Sequence, residues 1–136
     1  MVTTNYDDLI EQELINEFIQ YAVVREDKDI PQMVHPNALV KMHGDYATDN
    51  IVLTETDYYN YSNNFPLIRA FVLSLFASKL VLFVGFSFAD LNLKMILNEL
   101  KGILSENIQR AYLLSCEEPD SITKQYFEKK GINVSN

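Results

Sequence analysis

Short β-rich runs alternate with segments of helical periodicity along this chain, and that alternation limits its fold more than any other feature. Val2 to Thr4 is a brief β-rich run. Leu9, Ile10, Leu14, Ile15, Phe18 and Ile19 recur at helical spacing, which predicts an amphipathic helix over roughly 7–19. Tyr21 to Val24 and Ala38 to Met42 read as strands, separated by a charged loop over 25–37 that carries Pro31 and Pro36. Ile51 to Leu53 reads as a further short strand. Thr54 with Asp57 three residues on predicts a capped helix. Pro66 suits the first turn of another, over 66–78, apolar nearly all round and therefore buried on several sides. Leu80 to Val84 is a continuous apolar run, as expected of a central parallel strand. Leu93, Ile96, Leu97, Leu100, Ile103 and Leu104 mark a helix over 91–104 with Asp90 able to cap it. Ala111 to Leu114, a polar-faced helix over 121–130 ending at Gly131, and Ile132 to Val134 complete the series. The expectation is an α/β fold, a mainly parallel sheet with helices on both faces.

Composition removes several function classes. A net charge of -8 disfavours the electrostatic attraction that dominates binding to nucleic acid and to anionic membranes. The single Cys116 excludes an internal disulfide and any multi-cysteine zinc site, and no metal is expected. Segment 65–77 is strongly apolar but contains Pro66 and Arg69 and is too short to span a bilayer. With no basic-then-apolar signal pattern, the chain reads as cytoplasmic.

Three motifs follow apolar runs, where open α/β sheets place ligand-binding groups. They are Thr3-Thr4-Asn5-Tyr6-Asp7, Lys41-Met42-His43-Gly44-Asp45 and Phe83-Val84-Gly85-Phe86-Ser87-Phe88-Ala89-Asp90. Each has a purely structural reading. Asn5 and Asp7 can cap the following helix. His43 can be a polar strand-end residue anchored by the backbone. Gly85, Ser87 and Asp90 can form a tight strand-to-helix turn. Tyr58, Tyr59 and Tyr61 can pack one helix face or stack on a base. The chemical reading is that an imidazole before a glycine can act as a general base near neutral pH.

In this order the motifs resemble the sirtuin-like family of NAD-consuming domains, most closely its zinc-free bacterial branch, over residues 2–100. The resemblance implies a three-layer, Rossmann-like sheet and NAD as substrate. It implies that Asn5 holds the ribose or a water near the glycosidic carbon and that Asp7 accepts from the nicotinamide carboxamide. It implies that His43 serves a ribose hydroxyl or water as base, and that Gly85, Ser87 and Asp90 bind the adenosine ribose or phosphates. No cysteine-bound zinc module is present, so water is the expected acceptor, giving nicotinamide and ADP-ribose. In that branch the activity is associated with anti-phage defence. A nucleotide-sensing or interaction module without turnover, and an NAD-dependent protein deacylase, are the alternatives.

Family members usually carry a Gly-rich turn upstream of the Thr-Asn-x-Asp motif, and none of the four glycines here forms one. The expectation is a single domain over 1–136 that is a fragment lacking its first strand, Gly-rich turn and helix, with a degenerate open reading frame as the alternative. Such a chain is expected to be nearly inactive alone and to associate with a second copy or with other domains of a parent chain.

Overall fold

The computed structural model describes residues 1–85, 91–107, 110–115 and 119–135. They fall into two compact units, Met1–Val72 and Leu73–Asn136. Both are α/β with all strands parallel, in keeping with a Rossmann-like arrangement.

The first unit contains β1 (Val2–Thr3), α1 (Leu9–Asn16), β2 (Ala22–Val24), a 3₁₀ turn (Asp27–Gln32), β3 (Ala38–Lys41), α2 (Glu55–Asn64) and the start of α3 (Pro66–Ser78). Its sheet has the order β1-β3-β2. Leu39, Val40 and Lys41 on β3 are all buried. Successive strand residues point to opposite faces, so β3 is covered on both. Thr54 and Asp57 form the reciprocal capping box expected before α2. Helix α3 is capped from a distance: Asp27 accepts from Leu67 N–H and Ile68 N–H, both at 3.0 Å.

The second unit contains β4 (Leu82–Val84), α4 (Leu91–Leu104), β5 (Ala111–Leu114), α5 (Ser121–Glu128) and β6 (Ile132–Ser135), with sheet order β4-β5-β6. Phe83, Leu97, Ala111, Leu113, Phe127 and Ile132 form its core. Leu82, Val84, Tyr112 and Leu114 alternate with these and remain exposed.

Several expectations change. Among the described residues of the second unit, β4 pairs with β5 alone, so Leu82–Val84 takes an outer place in that three-stranded sheet, where a central strand was expected. Each unit pairs three of the described strands. Residues 51–53 form no strand; their one ladder-like bond runs from Val52 N–H to the His43 carbonyl, 3.0 Å. The loop at 25–37 contains a 3₁₀ turn held by Asp29, whose carboxylate accepts from the Arg25 and Glu26 amides. Helix α3 buries Ile68 and Val72 but exposes Leu67, so it is covered along a stripe rather than on several sides.

Helix α1 departs furthest. It ends at Asn16, where Phe18 adopts φ 54° and the Phe18 and Ile19 amides reach back to the Ile15 and Leu14 carbonyls. This is a Schellman closure with Phe in the place usually taken by Gly. The helix buries Glu11, while Leu9, Ile15 and Phe18 face solvent.

Candidate functional site

The parallel register sets the site. Thr3 pairs with Lys41 across β1 and β3, and Met42 N–H donates to the Thr3 carbonyl at 2.9 Å. Asn5 and His43 each follow two residues later, so both leave neighbouring strands at their carboxyl ends.

On the β1 side, Thr3 Oγ1 accepts from Asn5 N–H at 3.1 Å, turning the chain out of the strand. Asn5 is exposed. Asp7 Oδ1 accepts from Leu9 N–H at 3.2 Å, so the Asp7 carboxylate takes the structural, helix-starting role. Tyr6 Oη donates to the Val52 carbonyl at 2.8 Å and fixes this turn against the segment after His43.

On the β3 side, Gly44 N–H donates to the Lys41 carbonyl at 3.1 Å, closing a tight turn over Met42 and His43. Gly44 has φ +78°, a conformation that disfavours a side chain. His43 is only 3% exposed, so this residue at a strand end lies within the core. The imidazole meets Tyr58 edge-on at 5.3 Å and Tyr61 edge-on at 6.3 Å between ring centroids. Two of the three clustered tyrosines therefore wall the histidine, while Tyr59 is exposed. Burial, with the Asp27 charge, pushes the Tyr61 phenol far above its usual value and keeps it protonated. Burial also raises Tyr6, assisted by Tyr58.

Beneath these turns lies a charged network that the motifs did not reveal. Lys41 Nζ, with a side chain wholly buried, donates to the Asp7 carbonyl and stands 3.0 Å from Glu11 Oε1 and 4.0 Å from Asp45 Oδ2. The Glu11 contact is an ion pair without hydrogen-bond angles. Arg25 Nε donates to Asp45 Oδ2, and Arg25 Nη2 lies 3.7 Å from Glu11 Oε1. Asp45 Oδ1 accepts from the Ala47 amide, the Thr48 amide and the Thr48 hydroxyl at 2.9–3.0 Å. Burial alone would raise the Asp45 pKa, but donors from Arg25 and Thr48 and the Arg25 charge together hold it below the usual carboxylate value. Two signals pointed to this network: a lysine inside the apolar run Ala38 to Met42, and Glu11 at the helical spacing of Leu14, Ile15 and Phe18.

Gly85 follows β4 in the second unit with φ +71°, and among the described residues no neighbour lies within 4 Å of a would-be Cβ. Ser87 and Asp90 lie outside the described residues. A cleft of about 500 Å³, lined by residues that include Lys101, Arg110, Lys129 and Gly131, opens before β5 and β6. That is the amino end of those strands, the wrong end for a nucleotide in an open α/β sheet. Among the described residues no group of three or more His, Cys, Asp or Glu is arranged to hold a metal ion, and no helix is long and apolar enough to cross a membrane.

Comparison with known proteins places this geometry in context. The SIR2-like domain profile matches residues 1–135. The protein named defense-associated sirtuin 2 of Bacillus subtilis is 28% identical over 141 residues, covering 98% of this chain and 14% of that protein. The protein named NAD(+) hydrolase ThsA of Enterococcus faecium is 34% identical over 117 residues, 82% of this chain and 24% of that protein. Its namesake in Bacillus cereus (strain MSX-D12) is 35% identical over 133 residues, 91% of this chain and 27% of that protein. The chain thus spans 14–27% of the length of these relatives.

Proposed function

Because this chain belongs to the SIR2-like domain family, we propose that it supplies the nicotinamide-ribose side of an NAD-hydrolysing site in a defence protein. The observation that carries this reading is the Thr3–Lys41 register, which brings the Asn5 and His43 segments out of adjacent parallel strands together. The names of the Enterococcus faecium and Bacillus cereus relatives support NAD hydrolysis, and that of the Bacillus subtilis relative supports defence.

The chemistry asks little of the protein. The bond between the ribose anomeric carbon and the cationic nicotinamide ring breaks, and its electron pair neutralises the ring. Water forms the new bond to that carbon and surrenders a proton. His43 accepts this proton, giving nicotinamide, ADP-ribose and a released proton. Asn5 orients the ribose or the water from its exposed position. Tyr58 and Tyr61 keep bulk water from the imidazole. Asp7 contributes its carboxylate both to the α1 turn and to the carboxamide. Gly85, Ser87 and Asp90 keep the adenosine-side role that the resemblance implies.

Incubation of the full-length protein carrying this chain with NAD is expected to release nicotinamide and ADP-ribose in equal amounts without an acylated peptide. Turnover that requires such a peptide would establish deacylation instead. Binding of NAD with no product would favour a sensing module, a reading to which the near-complete burial of His43 lends support.

A further inference from the structure

We propose that Lys41 is a positioning residue that latches the Asn5–Asp7 segment to the strand bearing His43; this builds on the NAD-cleaving reading. Strand β1 is only two residues long, and Asp8, the residue before α1, makes no side-chain cap bond. Two local bonds hold the segment between them, Asn5 N–H to Thr3 Oγ1 and Leu9 N–H to Asp7 Oδ1, and its other contacts come from neighbours. The Lys41 ammonium grips the Asp7 carbonyl, the Tyr46 amide donates to the Tyr6 carbonyl at 3.4 Å, and Tyr6 Oη donates to the Val52 carbonyl. All three partners flank His43 in sequence, and Lys41 precedes it by two residues.

Energetics distinguish a latch from ordinary core. A fully buried ammonium loses its hydration, and its ion pair with Glu11 at 3.0 Å only offsets that loss. An apolar pair at positions 41 and 11 would hold β3 against α1 at least as well. An apolar residue cannot hydrogen-bond the Asp7 carbonyl. That bond needs an N–H donor at position 41, and it ties two candidate site segments into one geometry.

The test compares Lys41→Met, Lys41→Met with Glu11→Leu, and Glu11→Gln in the full-length protein. The readouts are urea unfolding, amide exchange over residues 5–9, and kcat and KM for nicotinamide release. Lys41→Met is expected to unfold at lower urea, and the double variant to regain the wild-type midpoint. Both are expected to exchange the Tyr6–Leu9 amides at least about tenfold faster and to lose about tenfold or more in kcat, with KM nearly unchanged, because misplacement acts on the reacting geometry. Glu11→Gln keeps the latch and is expected to keep wild-type exchange and kcat. A double variant with restored stability and wild-type exchange overturns the proposal. So does a Glu11→Gln protein that loses kcat as Lys41→Met does, a comparison that decides even where the double variant fails to fold. Absence of nicotinamide release from the wild type would refute the NAD reading, while the exchange data would still decide the latch.

Discussion

Gly44 and Asn50 lie so close that a Cβ on Gly44 would stand 2.3 Å from Asn50 Oδ1 and 2.4 Å from the Asn50 carbonyl oxygen. The contact includes backbone, so no rotamer change relieves it. Gly44→Ala adds strain at φ +78° to this clash and is expected to cost about 3 kcal/mol or more. Denaturant unfolding measures the loss. A variant within about 0.5 kcal/mol of wild type would show that the turn after His43 is not fixed as described.

His43 and Asn5 separate stability from activity. Asn5 is exposed, so Asn5→Ala is expected to shift the unfolding midpoint little while lowering nicotinamide release about a hundredfold. His43→Ala is expected to lose about 10²–10⁴-fold in release and also about 1–3 kcal/mol of stability, because the ring is buried against Tyr58 and Tyr61. Normal release from His43→Ala would place the base elsewhere.

Asp45 makes the first unit sensitive to acid. Its folded pKa lies below the ordinary 3.8, so the unfolded chain binds this proton more readily. The stabilisation is therefore present above about pH 4 and is lost as pH falls through the folded value. Asp45→Asn keeps an acceptor for Thr48 but loses the charge facing Arg25. The variant is expected to be less stable at pH 7 and to show a smaller stability loss between about pH 5 and pH 2. Equal acid sensitivity in the two proteins would rule Asp45 out as a major contributor.

Phe18 sits at φ 54° and is 93% exposed. Phe18→Gly keeps the Schellman closure of α1 and removes side-chain strain, so a gain of up to about 1 kcal/mol is expected. Thermal unfolding reads it, and a fall in midpoint would mean that the ring has a packing role.

Asp27 caps α3 from a residue some 40 positions away in sequence. Asp27→Ala is expected to cost about 1–2 kcal/mol, and Asp27→Asn, which keeps one acceptor oxygen for the two amides, less than that. Equal losses from the two variants would argue against a capping role.

What the sequence determined by itself is local. The helix over Pro66–Ser78, the capping box of α2 and the strand at Ala111–Leu114 follow from periodicity, turn chemistry and side-chain shape, which act over a few residues. The β-αβ order, and with it the parallel strands whose carboxyl ends carry Asn5 and His43, was legible for the same reason. Tertiary structure decided the rest. Burial of Glu11 in place of Leu9 and Ile15 depends on Lys41 at the end of β3 and Arg25 just after β2. The outer place of β4 among the described strands depends on which strands pair with it, and the enclosure of His43 depends on two tyrosines from α2. An ion pair or an aromatic contact is set by three-dimensional proximity, so its energy appears only when distant segments meet, and local pattern cannot register it.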